Sequence, residues 1–80
     1  MLETSLDTMS PGEHAIIDRI NNATATIHQR LLEMGLIKGT KVQVIRFAPM
    51  GDPIEIKVRG SRLTLRRLEA ATVIVKKEQQ

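Results

Sequence analysis

A metal site could assemble in space from His14, His28, Glu33 and Asp52, with Met9, Met34 and Met50 as softer sulfur donors. The two histidines fall in different segments, with no His-x-x-x-His or histidine–carboxylate spacing between them. A site assembled in space and a pair of ordinary surface histidines both fit that pattern. Methionine is more often a gap-filler than a ligand, and Met34 reads as core. The absence of cysteine removes thiolate sites, disulfides and cysteine nucleophiles. Ser5, Ser10 and Ser61 lie in no nucleophile motif, and no glycine-rich phosphate loop exists. The expectation is therefore a chain with no catalytic residue, no cofactor and no metal ligand set, binding Fe²⁺ and Zn²⁺ only weakly.

What chemistry remains is that of binding. Lys57, Arg59, Arg62, Arg66 and Arg67 gather in one stretch, either as a solvated tip or as a docking site for acidic residues. Twelve basic against nine acidic residues give a net charge of +3, a tilt towards anionic partners that stops short of a nucleic-acid signature. With one Phe and no Trp or Tyr, stacking platforms for bases are almost absent. Leu32 either completes a wide core stripe or, with Leu36 and Met50, forms an exposed apolar patch. Rimmed by Arg59, Arg62 and Arg66, such a patch suits a protein interface.

These residues must be positioned by a single small domain, since 80 residues allow no more. Residues 1–8 read as an irregular arm, 9–76 as the domain and 77–80 as a frayed tail. Met9-Ser10-Pro11-Gly12 is turn chemistry, and Glu13 to Ile20 reads as a first strand. Asn22 or Thr24 is placed to cap a helix running to Met34. Its apolar face is Ile27, Leu31 and Met34, at i, i+4 and i+7, and Gly35 is the left-handed residue that ends it. Thr40 to Phe47 forms a second strand. Its apolar positions change face after Val44, which predicts a bulge or bend of the kind that curls a sheet into a barrel. Ala48 to Pro53 is a loop, since two prolines and a glycine do not belong in a central strand.

Ile54, Ile56 and Val58 alternate with polar residues, and Leu63 and Leu65 return beyond Gly60-Ser61. Taken as a type II′ turn, Gly60-Ser61 pairs Val58 with Leu63, Ile56 with Leu65 and Glu55 with Arg66, and sets Arg59 opposite Arg62. Arg67 to Ala70 makes one tight turn, and Thr72 to Val75 a closing strand. The expected core is Ile16 or Ile17, Ile27, Leu31, Met34, Val42, Val44, Ile56, Val58, Leu63, Leu65, and Val73 or Val75. No apolar run reaches the roughly 20 residues of a bilayer span, and the N-terminus shows no signal-peptide pattern. A soluble cytoplasmic protein with no direct membrane insertion is expected.

Leu6-x-x-Met9-x-Pro11-Gly12, Arg30-Leu31-Leu32-Glu33-Met34-Gly35-Leu36, Pro49-x-Gly51-Asp52-Pro53 and Leu63-x-Leu65-Arg66-x-x-Glu69-Ala70 together resemble the FeoA family, in its order and over Leu6 to Val75. Lys38 departs from the resemblance, standing where family members often carry proline. The resemblance implies a mainly β fold, a five-stranded SH3-like barrel with one inserted α-helix. It also implies a non-enzymatic accessory role in bacterial ferrous iron uptake. The partner would be FeoB, a membrane transporter with a cytosolic GTPase domain, and Leu32, Leu36, Met50, Arg59, Arg62 and Arg66 are the residues offered for that contact. Weak self-association is compatible with it. The alternatives are a nucleic-acid-binding small barrel and a metal-sensing or iron-binding domain.

Overall fold

The computed structural model describes residues 3–78. Six strands form one antiparallel sheet: β1 (Glu3–Ser5), β2 (His14–Ile20), β3 (Lys41–Phe47), β4 (Ile54–Val58), β5 (Ser61–Leu65) and β6 (Val73–Lys77). Helix α1 (Ala25–Glu33) lies between β2 and β3, and a single-turn helix α2 (Arg67–Ala70) between β5 and β6. The strand order is β1-β6-β2-β3-β4-β5.

The sheet curls because two strands are bulged. Between β2 and β6 the register shifts at Ile17/Arg19, leaving Asp18 as the extra residue. Between β3 and β4 it shifts at Val44/Arg46, so Ile45 is extra and Phe47 comes back opposite Ile54. That second shift is the bend expected from the change of apolar face in β3. Each bulge raises local twist and bends its strand, which folds the sheet around the apolar side chains of alternate positions. Ile17, Val42, Val44, Ile56, Val58, Leu65, Val73 and Val75 are all buried inside it.

The N-terminal segment is part of this body. Residues 3–8, expected as an irregular arm, form β1 and a 3-10 turn at Leu6–Thr8. Glu3, Thr4 and Ser5 pair with Lys76, Val75 and Ile74, and Leu6 and Met9 are fully buried. The sheet therefore has six strands where five were expected, the sixth being too short to carry a readable period. Lys77, assigned to the tail, closes β6 opposite Ala15. Residues 79 and 80 of that tail, and 1 and 2 of the arm, lie outside the described residues.

Helix α1 is only nine residues long, too short to be stable without docking. Thr24 caps it, its Oγ1 accepting the Ile27 N–H at 3.2 Å. It plugs the barrel with Leu31, while Ile27 and Met34 are partly buried beside it. At its end Gly35 takes φ +88°, donates to the Leu32 carbonyl at 2.9 Å, and lets the Leu36 N–H reach the Leu31 carbonyl at 3.1 Å. This paired 6→1 and 5→2 bonding is a Schellman ending, which commonly brings the residue after the glycine against the residue that accepts its N–H. Leu36 and Leu31 are accordingly both buried.

Helix α2 is held by two carboxylates. Glu69 Oε1 accepts the Arg66 N–H at 2.9 Å, and Asp52 Oδ1, from the loop before β4, accepts the Arg67 N–H at 3.0 Å. The Glu69 side chain is buried, and its second oxygen meets Arg30 Nη1 of α1 at 3.1 Å. A buried acid is thus fully partnered, as burial demands.

Candidate functional site

The β4–β5 hairpin decides where the basic residues go. Its turn is Arg59-Gly60, with φ of +52° and +81°, the positive pair that defines a type I′ connection. Val58 therefore faces Ser61, Lys57 faces Arg62, Ile56 faces Leu63 and Ile54 faces Leu65. The expected register is off by two residues. A slip of two keeps every side chain on its own face, so the core assignment survived while the cross-strand partners changed. Arg59 does not oppose Arg62. Arg62 lies across from Lys57 and is drawn to Glu55, at 3.4 Å, which also holds Arg46 at 3.1 Å. The facing pair expected of Arg59 and Arg62 is not formed.

Arg59 is instead aimed back at the end of α1. Its Nη2 donates to Thr40 Oγ1 at 3.2 Å, and its Nη1 lies 3.3 Å from the position a Cβ on Gly35 would occupy. A cation there complements the negative end of the helix dipole. Holding a non-glycine residue in left-handed backbone costs about 1–2 kcal/mol, and these contacts help to offset it.

Leu36 has no exposed surface and is removed from the candidate interface. The Schellman ending turns it into the core, a signal present in the sequence as the residue directly after the helix-stopping glycine. Leu32 is 40% exposed and Met50 is 92% exposed. They do not form a single patch with all three arginines. Arg30 and Leu32, two residues apart, point roughly 200° apart around α1. Arg30 borders a groove with Asp52, Pro53, Thr64 and Arg66, and the loop that carries Met50 runs into that groove. Leu32 leaves the helix on another side, one turn before the Gly35 that Arg59 covers. The six residues named from sequence thus separate: Leu36 into the core, Arg62 into an ion pair on the sheet, Arg66 into the groove beside Arg30, Met50 onto the exposed loop before β4, Leu32 onto the last turns of α1 and Arg59 against Gly35 at the helix end.

At that end lies a cleft of about 670 Å³, formed by the turn Ile37–Thr40, the start of β3 and the hairpin tip. Lys38, Lys41, Lys57 and Arg59 line it together with His14, and no carboxylate does. Ile37, which sequence reasoning passed over, is exposed at its edge. His28 sits exposed on α1, away from the strand that holds His14, and no group of three or more histidine and carboxylate side chains suited to a metal occurs among the described residues. No helix is long and apolar enough to cross a membrane.

A short antiparallel barrel with one docked helix, a basic cleft and an exposed isoleucine at its edge defines a small SH3-like domain. The FeoA domain profile matches residues 4–77, and the chain belongs to the FeoA family. It is 31% identical over 70 residues to a fusion of Fe(2+) transport protein A with the Fe(2+) transporter FeoB from Porphyromonas gingivalis, a match covering 88% of this chain and 8% of that one. The chain thus spans a small part of that curated relative's length. The solution structure of FeoA from Chlorobium tepidum superposes with a TM-score of 0.85 at 38% identity, over 92% of this chain and 70% of that one. FeoA from Stenotrophomonas maltophilia, solved with zinc and described as a prokaryotic SH3 domain protein, gives 0.82 at 28% identity over 95% and 96% of the two chains.

Proposed function

We propose that this chain is a non-enzymatic accessory module of ferrous iron uptake that works by binding the cytosolic part of FeoB. The observation that carries this reading is the Porphyromonas gingivalis relative, in which a FeoA segment and the FeoB transporter are one polypeptide. Two modules joined covalently in one protein act at high effective concentration on each other, and separate chains of the same kind must supply that proximity by affinity. Location on the cytoplasmic side of the membrane follows from the partner.

The surface offered is the end of α1 with the hairpin tip. Leu32 and Ile37 supply apolar contact, and Arg59 is held in place above Gly35 by its bond to Thr40. Apolar side chains at the centre of an interface carry affinity, while basic residues around them speed encounter and add salt sensitivity. The test is capture from detergent-solubilised native membranes with the tagged chain. Recovery of FeoB, reduced by Leu32→Asp in a protein that still folds, supports the reading. Failure to recover FeoB at any salt concentration refutes it.

A further inference from the structure

The distribution of ion pairs singles out one place on the molecule. Each of the nine acidic residues is engaged by a side-chain or backbone donor. Seven of the twelve basic residues take part in ion pairs, Arg19, Arg30, Lys41, Arg46, Arg62, Lys76 and Lys77. Five make no ion pair among the described residues: Lys38, whose charge is felt at Asp18, and Lys57, Arg59, Arg66 and Arg67. Three of these five, Lys38, Lys57 and Arg59, line the same cleft, where they converge from the α1–β3 turn, from β4 and from the hairpin tip. Like charges brought together around a concavity, with no carboxylate in its wall, raise the local potential for an anion.

We propose that this cleft seats a short, extended, acidic segment of the partner, with Lys38, Lys57 and Arg59 taking its carboxylates and Ile37 taking an apolar side chain. The proposal rests on the FeoB-binding reading and assigns the place of contact within it. The occupant is a peptide and not a nucleic acid because no Phe, Tyr or Trp lines the cleft, the chain's only one being Phe47, and the single His14 ring is poor equipment for gripping a strand by stacking. A concavity of about 670 Å³ gives room for a short extended segment to lie in it. The cations project from three separate elements, which suits carboxylates spaced along a chain better than one compact anion.

The test compares two variants with the same loss of charge. Lys38→Ala with Lys57→Ala removes two of the cleft's cations, and Arg67→Ala with Lys76→Ala removes two exposed cations from elsewhere. All four side chains are exposed, and thermal melts matching the wild type establish that both variants fold. Titrated against the isolated cytosolic part of FeoB at low salt, the cleft variant is expected to bind about tenfold or more weakly, and the control within about threefold of wild type. Equal weakening of the two, or no weakening of either, overturns the cleft assignment and leaves the FeoB reading standing. Absence of binding by the wild type fails both. A labelled single-stranded RNA that binds the wild type tightly and loses that binding on Lys38→Ala with Lys57→Ala also overturns the proposal, by making the cleft a nucleic-acid surface.

Discussion

The guanidinium of Arg59 lies against Gly35, its Nη1 3.3 Å from where a Cβ would stand. One contact therefore ties the tip of the β4–β5 hairpin to the end of the helix. Gly35→Ala meets two obstacles, a left-handed φ of +88° and this close approach. The arginine is flexible and yields, so the backbone dominates. A loss of about 1–2 kcal/mol in a urea denaturation is expected.

Arg59 occupies the first position of a type I′ turn followed by Gly60, where asparagine is the favoured residue. Arg59→Asn should leave stability unchanged or raise it by a few tenths of a kcal/mol, since relief of strain is set against loss of the Thr40 bond. Binding to FeoB should fall all the same. Such a split, read by melting temperature and by affinity on one variant, marks a residue kept for function at a cost in stability.

Leu36 and Leu32 look alike in sequence and stand in opposite environments. Leu36→Asp places a charge in the core against Leu31 and should abolish folding, because the group has no partner there. Leu32→Asp, on the exposed side of α1, should leave the circular dichroism spectrum and melting temperature close to wild type.

Three carboxyls at or near the surface are held below their ordinary values of 4.5 for glutamate and 3.8 for aspartate: Glu3 and Asp18 chiefly by hydrogen bonds from Arg19, Glu13 by the Ser10 N–H. Groups with a lowered folded pKa stabilise the fold above their unfolded value, and lose that contribution as pH falls through the folded one. Melting temperature should therefore be level near neutrality and decline as pH drops below about 4.5. Arg19→Ala should flatten that decline by returning Glu3 and Asp18 towards ordinary values.

Periodicity and glycine placement made much of the barrel readable before any coordinates. The helix with its Gly35 stop and a cap narrowed to Asn22 or Thr24, the bend after Val44, the β4–β5 hairpin and the turn at Arg67 to Ala70 all follow from local chemistry. What was hidden depended on tertiary neighbours. Three residues of β1 are too few to show alternation, and only pairing with β6 reveals them. The hairpin register turned on whether Arg59 would accept positive φ, which its sequence does not announce but its hydrogen bond to Thr40 and its close approach to Gly35 support. The candidate surface was readable in residue type and not in grouping: helix phase separates Leu32 from the Arg30 groove, and the Schellman ending sinks Leu36. Lys38 and Ile37 entered the cleft only when the turn after α1 was seen to fold beside the hairpin tip.

Affinity of the wild-type chain for the isolated cytosolic part of FeoB from the same organism, measured by calorimetry at low and at physiological salt, tests the central claim most directly. Saturable one-to-one binding that weakens as salt is raised is the expected result, the salt sensitivity coming from the basic cleft and the residual affinity from Leu32 and Ile37. No heat and no complex at either salt concentration, with both proteins folded, would contradict it.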